Sequence, residues 1–117
     1  PCIPGSRLGI RAEDMPDTLP EGIHFLHSHN LCESDSYALE HTLQNIERLF
    51  GKYLPQVKLL NLGGGHLMTR EDYNVDHLIN TLKTFKAKYP HLEIILEPGS
   101  AVAWQTGYLV STVLDIV

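Results

Sequence analysis

Residues 57–68 read VKLLNLGGGHLM, a short apolar run followed at once by Gly63, Gly64 and Gly65. A run of this length ending in turn residues predicts a buried strand. On both sides the period changes. Upstream, residues 34–54 (SDSYALEHTLQNIERLFGKYL) place Leu39, Leu43, Ile46, Phe50 and Tyr53 at helical spacing. An N-cap is available at 34–36, acids fall in the first turn, and Pro55 closes the helix. Downstream, Val75, Leu78, Ile79, Leu82, Phe85 and Tyr89 repeat the helical stripe until Pro90 stops it.

Outward again, residues 22–28 (GIHFLHS) predict a strand in which Ile23 and Phe25 alternate with His24, Leu26 and Ser28, between Pro20 and Asn30. Residues 92–96 (LEIIL) predict a third strand, and residues 108–117 (YLVSTVLDIV) a fourth, after a glycine-bearing loop. Strands alternating with helices of this length imply parallel βαβ units, in either a doubly wound sheet or a (β/α)8 TIM barrel. Polar or glycine-rich chemistry follows each strand: HSHNLCES, GGGHLM and EPGSAVAW. That favours the barrel, whose chemistry sits on the loops after its strands. A whole barrel takes roughly 250 residues. The 117 residues here predict a partial barrel, an α/β fragment of about half.

Composition narrows the function. With 43% hydrophobic residues the chain buries a core, and its net charge of -5 with nine scattered Lys and Arg argues against nucleic acid. No leader and no apolar run approaching the roughly 20 residues of a membrane span is seen, so a cytoplasmic location without membrane contact is expected. Cys2 and Cys32 lack metal-knuckle or redox spacing and read as reduced thiols. No internal repeat occurs, and residues 12–21 (AEDMPDTLPE) form the one Pro-rich, acidic connector.

Three strand ends offer chemistry. Three successive glycines between a strand and a helix let backbone amides converge on an anion, although the same tripeptide also serves a ligand-free turn. His27 and His29, one residue apart, emerge on one face of a strand and could ligate a metal, move protons or stack on a planar cofactor. For a metal, His66 and Glu97 could complete the set, but Gly63 to Gly65 would then go unexplained. Glu97, followed by Pro98 and Gly99, suits one fixed hydrogen bond better than the work of a mobile base. Facing a pyridine nitrogen, such a carboxylate keeps the ring protonated and electron-withdrawing. A loop acid that caps backbone amides is the alternative.

Together SRLG (6–9), HSHNLCE (27–33), LNLGGGH (60–66) and EPGSA (97–101) resemble, in order and spacing over essentially the whole chain, the fold-type III pyridoxal-phosphate decarboxylases with an alanine-racemase-like barrel. The wording is nearest the carboxynorspermidine (carboxyspermidine) decarboxylase branch. Ornithine and diaminopimelate enzymes carry an arginine and a serine where Ser100 and Cys32 stand, which points away from those substrates.

The resemblance implies a cofactor, pyridoxal 5'-phosphate, held by His29 against the ring, by the amides of Gly63, Gly64 and Gly65 at the phosphate, and by Glu97 at the ring nitrogen, with Gly99 beside it. Cys32, Glu33, His66 and Ser100 are further contacts to cofactor or substrate. It implies a carboxy-lyase of polyamine biosynthesis, acting as a homodimer on a carboxylated triamine to give norspermidine or spermidine. It places residues 1–117 inside the cofactor-binding barrel domain, with the Schiff-base lysine before Pro1 and a β-domain after Val117. Lys52, Lys58, Lys83, Lys86 and Lys88 read as solvated positions or helix faces. On this reading the isolated chain is inactive. Its unpaired strand edges predict self-association or burial in a larger protein. Two rivals are a metal-dependent barrel hydrolase using His27, His29 and His66, and a non-catalytic barrel homologue.

Overall fold

The computed structural model describes residues 5–116, so Cys2 and Val117 lie outside the described residues. Its centre is a parallel sheet of three short strands, β1 (Phe25–His27), β2 (Leu59–Asn61) and β3 (Glu93–Ile95), in the order β1-β2-β3. The register aligns Leu26 with Leu60 and Ile94, and His27 with Asn61 and Ile95. Backbone bonds carry the ladder past the strands on both sides: Lys58 N to His24 O, Glu93 N to Lys58 O, Ser28 N to Asn61 O and Leu62 N to Ile95 O, at 2.8–2.9 Å. The triple-strand α/β arrangement is therefore as read from the periodicity, and the described residues themselves form no closed barrel.

Two helices cover one face. Helix α1 (Ser36–Phe50) starts where the Asp35 carboxylate accepts the Ala38 amide at 2.9 Å, a cap that satisfies one of the unpaired donors of the first turn. No acid occupies that first turn, contrary to expectation. Pro55 does not close the helix. The α-helix ends at Phe50 and the chain tightens into a 3-10 segment, Gly51–Gln56, that holds Pro55 inside it. Helix α2 (Val75–Lys88) is capped by the Asn74 side chain on the His77 amide.

The buried stripe of α1, Leu39, Leu43 and Ile46, shares one core with Leu78 and Phe85 of α2, with Leu60 of β2, and with Val57, Leu62 and Leu92 flanking the strands. Fully burying each such leucine contributes about 1.5–3 kcal/mol. The stripe on α2 is narrower than its sequence suggests, since Val75 and Ile79 are exposed. Between the helices, His77 Nδ1 and the buried Ser36 Oγ share a 3.0 Å hydrogen bond, His77 Nε2 lies 3.4 Å from Glu40 Oε2, and the imidazole stacks on Tyr37.

Leu26 is the residue of β1 that packs on the core, and Phe25 and Ile23 face outward, the reverse of the phase that the alternation suggested. The face of the sheet without helices carries Phe25, His27, Leu59, Asn61, Glu93 and Ile95. Residues 108–116 form no strand and lie exposed, which corrects the expected fourth strand. A short helix, α3 (Gly99–Ala103), stands where only a loop was expected. The acidic connector is strapped to the 3-10 segment. The Tyr53 hydroxyl donates to Pro16 O at 2.6 Å, Leu19 N donates to Gln56 Oε1 at 3.1 Å, and Lys52 pairs with Asp17 at 3.0 Å.

Candidate functional site

The C-terminal ends of the three strands converge on one rim, on the face that the helices leave open. His27 and His29 project there together, their ring centroids 5.8 Å apart. Glu97 approaches from the end of β3, with Oε2 3.8 Å from His27 Nε2. One ligating atom from each of His27, His29 and Glu97 lies within 4.8 Å of the others, and all three residues are exposed.

What holds Glu97 is Asn61, the last residue of β2. Asn61 Nδ2 donates to Glu97 Oε1 at 2.8 Å, while its Oδ1 accepts the Gly63 amide, also at 2.8 Å. The Glu97 amide in turn donates to Gly63 O. Pro98 and Gly99 were expected to supply this rigidity. Gly99 is instead the exposed first residue of α3 and touches no neighbour at its Cα face. Asn61 was missed by the sequence reading, although an amide inside the apolar run 57–62 is the signal that could have found it, since a buried polar side chain needs a partner.

The three glycines are dictated by crowding. A Cβ on Gly63 would lie 2.8 Å from His29 Cγ, one on Gly64 2.4 Å from Glu97 O, and one on Gly65 2.1 Å from Leu31 O. Gly63 and Gly65 also have positive φ, 68° and 84°, which glycine adopts without strain. The turn thus brings His29 and Glu97 against its backbone. The amides of Gly64 and Gly65 have no hydrogen-bond partner among the described residues.

His66, next in sequence, is fully buried, and neither ring nitrogen has a partner among the described residues. Burial, and secondarily repulsion from His29, lowers its pKa, so it is neutral. It stands apart from the cluster that His27, His29 and Glu97 form, so the metal set of His27, His29 and His66 is not the one the fold assembles. Ser100 Oγ donates to His66 O at 3.1 Å and ties α3 to this strand end. Cys32 is exposed, and its carbonyl accepts the Ser34 hydroxyl. Glu33 is exposed with φ 47°, a left-handed conformation that costs a side-chain-bearing residue about 1–2 kcal/mol. The lysines lie elsewhere: Lys58 precedes β2 at the opposite end of the sheet, Lys52 pairs with Asp17, and Lys83, Lys86 and Lys88 ride on α2.

These residues fit a flat heterocycle bearing an anionic tail: unpaired amides for the anion, an imidazole beside them and a carboxylate fixed at their edge. No family model matches the chain. Over 117 residues, all of its length, it is 57% identical to the carboxyaminopropylagmatine decarboxylase of Synechocystis sp. and covers 30% of that protein. It is 47% identical over the same length to the carboxynorspermidine/carboxyspermidine decarboxylase of Campylobacter jejuni, again covering 30%. The crystal structure of the Campylobacter jejuni carboxynorspermidine decarboxylase complexed with norspermidine superposes with a TM-score of 0.82, over 97% of this chain and 31% of that one. The chain thus spans about 30% of the length of the curated relatives it matches, and along all of its own length it is similar to these decarboxylases.

Proposed function

We propose that the protein bearing this chain is a pyridoxal-phosphate-dependent carboxy-lyase acting on a carboxylated polyamine, and that these residues are part of its (β/α)8 barrel. The observation that carries this reading is one rim on which the His29 ring, the Asn61-anchored Glu97 and the unpaired Gly64 and Gly65 amides meet, in a chain 47% identical to a decarboxylase solved with norspermidine.

Gly64 and Gly65 would hold the phosphate through their amides. His29, pressed against Gly63, would present its face to the pyridine ring. Glu97 would accept the hydrogen bond of the ring nitrogen and keep the proton there, because an adjacent carboxylate stabilises the charged form. Bound in this way, pyridoxal phosphate supplies the electron-withdrawing ring that makes loss of carbon dioxide from an amino acid feasible. Asn61 fixes which carboxylate oxygen is free for that bond. His66, neutral and unpaired behind the turn, offers a donor and an acceptor to whatever polar group completes the site. The net charge of -5 on this chain suits a cationic polyamine, and a cytoplasmic homodimer completes the reading.

The greater identity to the Synechocystis protein favours carboxyaminopropylagmatine over carboxynorspermidine or carboxyspermidine as the substrate. Carbon dioxide release from each of the three, measured on the full-length protein with pyridoxal phosphate, tests this. The expected result is turnover with a visible cofactor absorbance band, fastest on carboxyaminopropylagmatine. Absence of both band and turnover would overturn the reading. The 117-residue piece alone is expected to release none.

A further inference from the structure

We propose that His27, His29 and Glu97 form a transition-metal site of zinc-like chemistry, and that an ion bound there excludes the flat cofactor from the same side chains. The second half rests on the proposed function. The first half does not.

His27 has no task in the cofactor reading, yet it shares the rim with both residues that do. Two imidazole nitrogens and one carboxylate oxygen are the donor set of three-ligand zinc sites, which leave a fourth position open. Such a set favours zinc, nickel or copper over calcium or magnesium, which prefer oxygen donors. A tetrahedral ion with bonds of about 2.0–2.2 Å spaces its donor atoms roughly 3.4 Å apart. His27 Nε2 and Glu97 Oε2 are already 3.8 Å apart, and the whole set lies within 4.8 Å. With Glu97 held by Asn61, small rotations of the His27 and His29 rings close the difference.

A second observation supports the site. Ligating carboxylates are commonly oriented by an outer hydrogen bond, and Asn61 Nδ2 supplies one to Glu97 Oε1, leaving Oε2 directed at His27. The strand ladder fixes the backbone under all of them, with His27 beside Asn61 in register and Glu97 N bonded to Gly63 O. Exclusion follows from the donors. A cation held at Glu97 Oε2 repels the protonated ring nitrogen that would otherwise lie against that oxygen, and a His29 turned to aim a nitrogen at the ion no longer presents its face.

The test uses the full-length, untagged protein freed of metal and cofactor, titrated calorimetrically with zinc alone. One ion per chain with micromolar affinity is expected, weakened at least about tenfold in His27→Ala and Asn61→Leu. His24→Ala, on the far side of β1, should leave it unchanged, and circular dichroism checks that each variant is folded. Absence of saturable binding, or binding indifferent to His27→Ala, overturns the site. Separately, the cofactor band is recorded on zinc-free protein, and zinc is then titrated in. The band should form and then fade as zinc binds. A band that forms but is untouched by bound zinc overturns the exclusion. A band that never forms, with zinc still bound through His27, overturns the cofactor reading and leaves the metal site standing.

Discussion

Asn61 performs two tasks with one amide, holding Glu97 through its nitrogen and the Gly63 amide through its oxygen. Asn61→Leu keeps the volume but leaves a buried backbone donor without a partner, so it should lower the unfolding free energy by about 1–3 kcal/mol. Urea denaturation measures this, and an unchanged midpoint would show that Asn61 carries no such burden. The acid at 97 was legible as an immobile group because a proline follows it. Its holder was not legible, since it lies 36 residues away and only the register of β2 against β3 brings the two together. His66 yields a second prediction. Its pKa is lowered from 6.5 in the folded chain, so below that value the unfolded chain takes up the proton first. Stability is therefore full above about pH 6.5 and is lost as pH falls through the window beneath it. Thermal melts at about pH 7.5 and about pH 5.5 should show a drop that His66→Leu reduces, because leucine has no proton to bind.

At the level of elements, the two long helices each begin with a side-chain cap, Asp35 for α1 and Asn74 for α2. Asp35→Ala should cost about 1 kcal/mol, read as a lowered denaturant midpoint with an unchanged slope. The helices were the most legible elements because their stripes are long and periodic. The strands were legible in place and less so in phase. Three residues each give too few alternations to decide which side faces the helices, and Phe25 proved to be outside while Leu26 is inside. Residues 108–116 failed as a strand for a different reason. Strand preference expresses fit to a neighbouring strand, and among the described residues none lies beside that segment.

For the molecule as a whole, a sheet covered on one face and open at both edges is incomplete by the logic of packed layers. Tyr108, Leu109, Val110, Val113, Leu114 and Ile116 stand between 77% and 99% exposed, well beyond the scattered apolar residues normal on a surface. The 117-residue chain by itself should therefore associate with copies of itself, and light scattering that returned a clean monomer at all concentrations would contradict this. No helix among the described residues is long and apolar enough to cross a membrane. The chain alternates as a barrel does, but closure is a property of strands that must meet from both ends, which no local pattern in these residues encodes.

The strap formed by Tyr53 on Pro16, Gln56 on Leu19 and Lys52 on Asp17 makes a noose of the chain from 16 to 56, with α1 threaded along it. A protease that nicked the exposed turn near Gly22 would sever the polypeptide without parting the pieces, and the amino-terminal remnant would stay moored to its tyrosine.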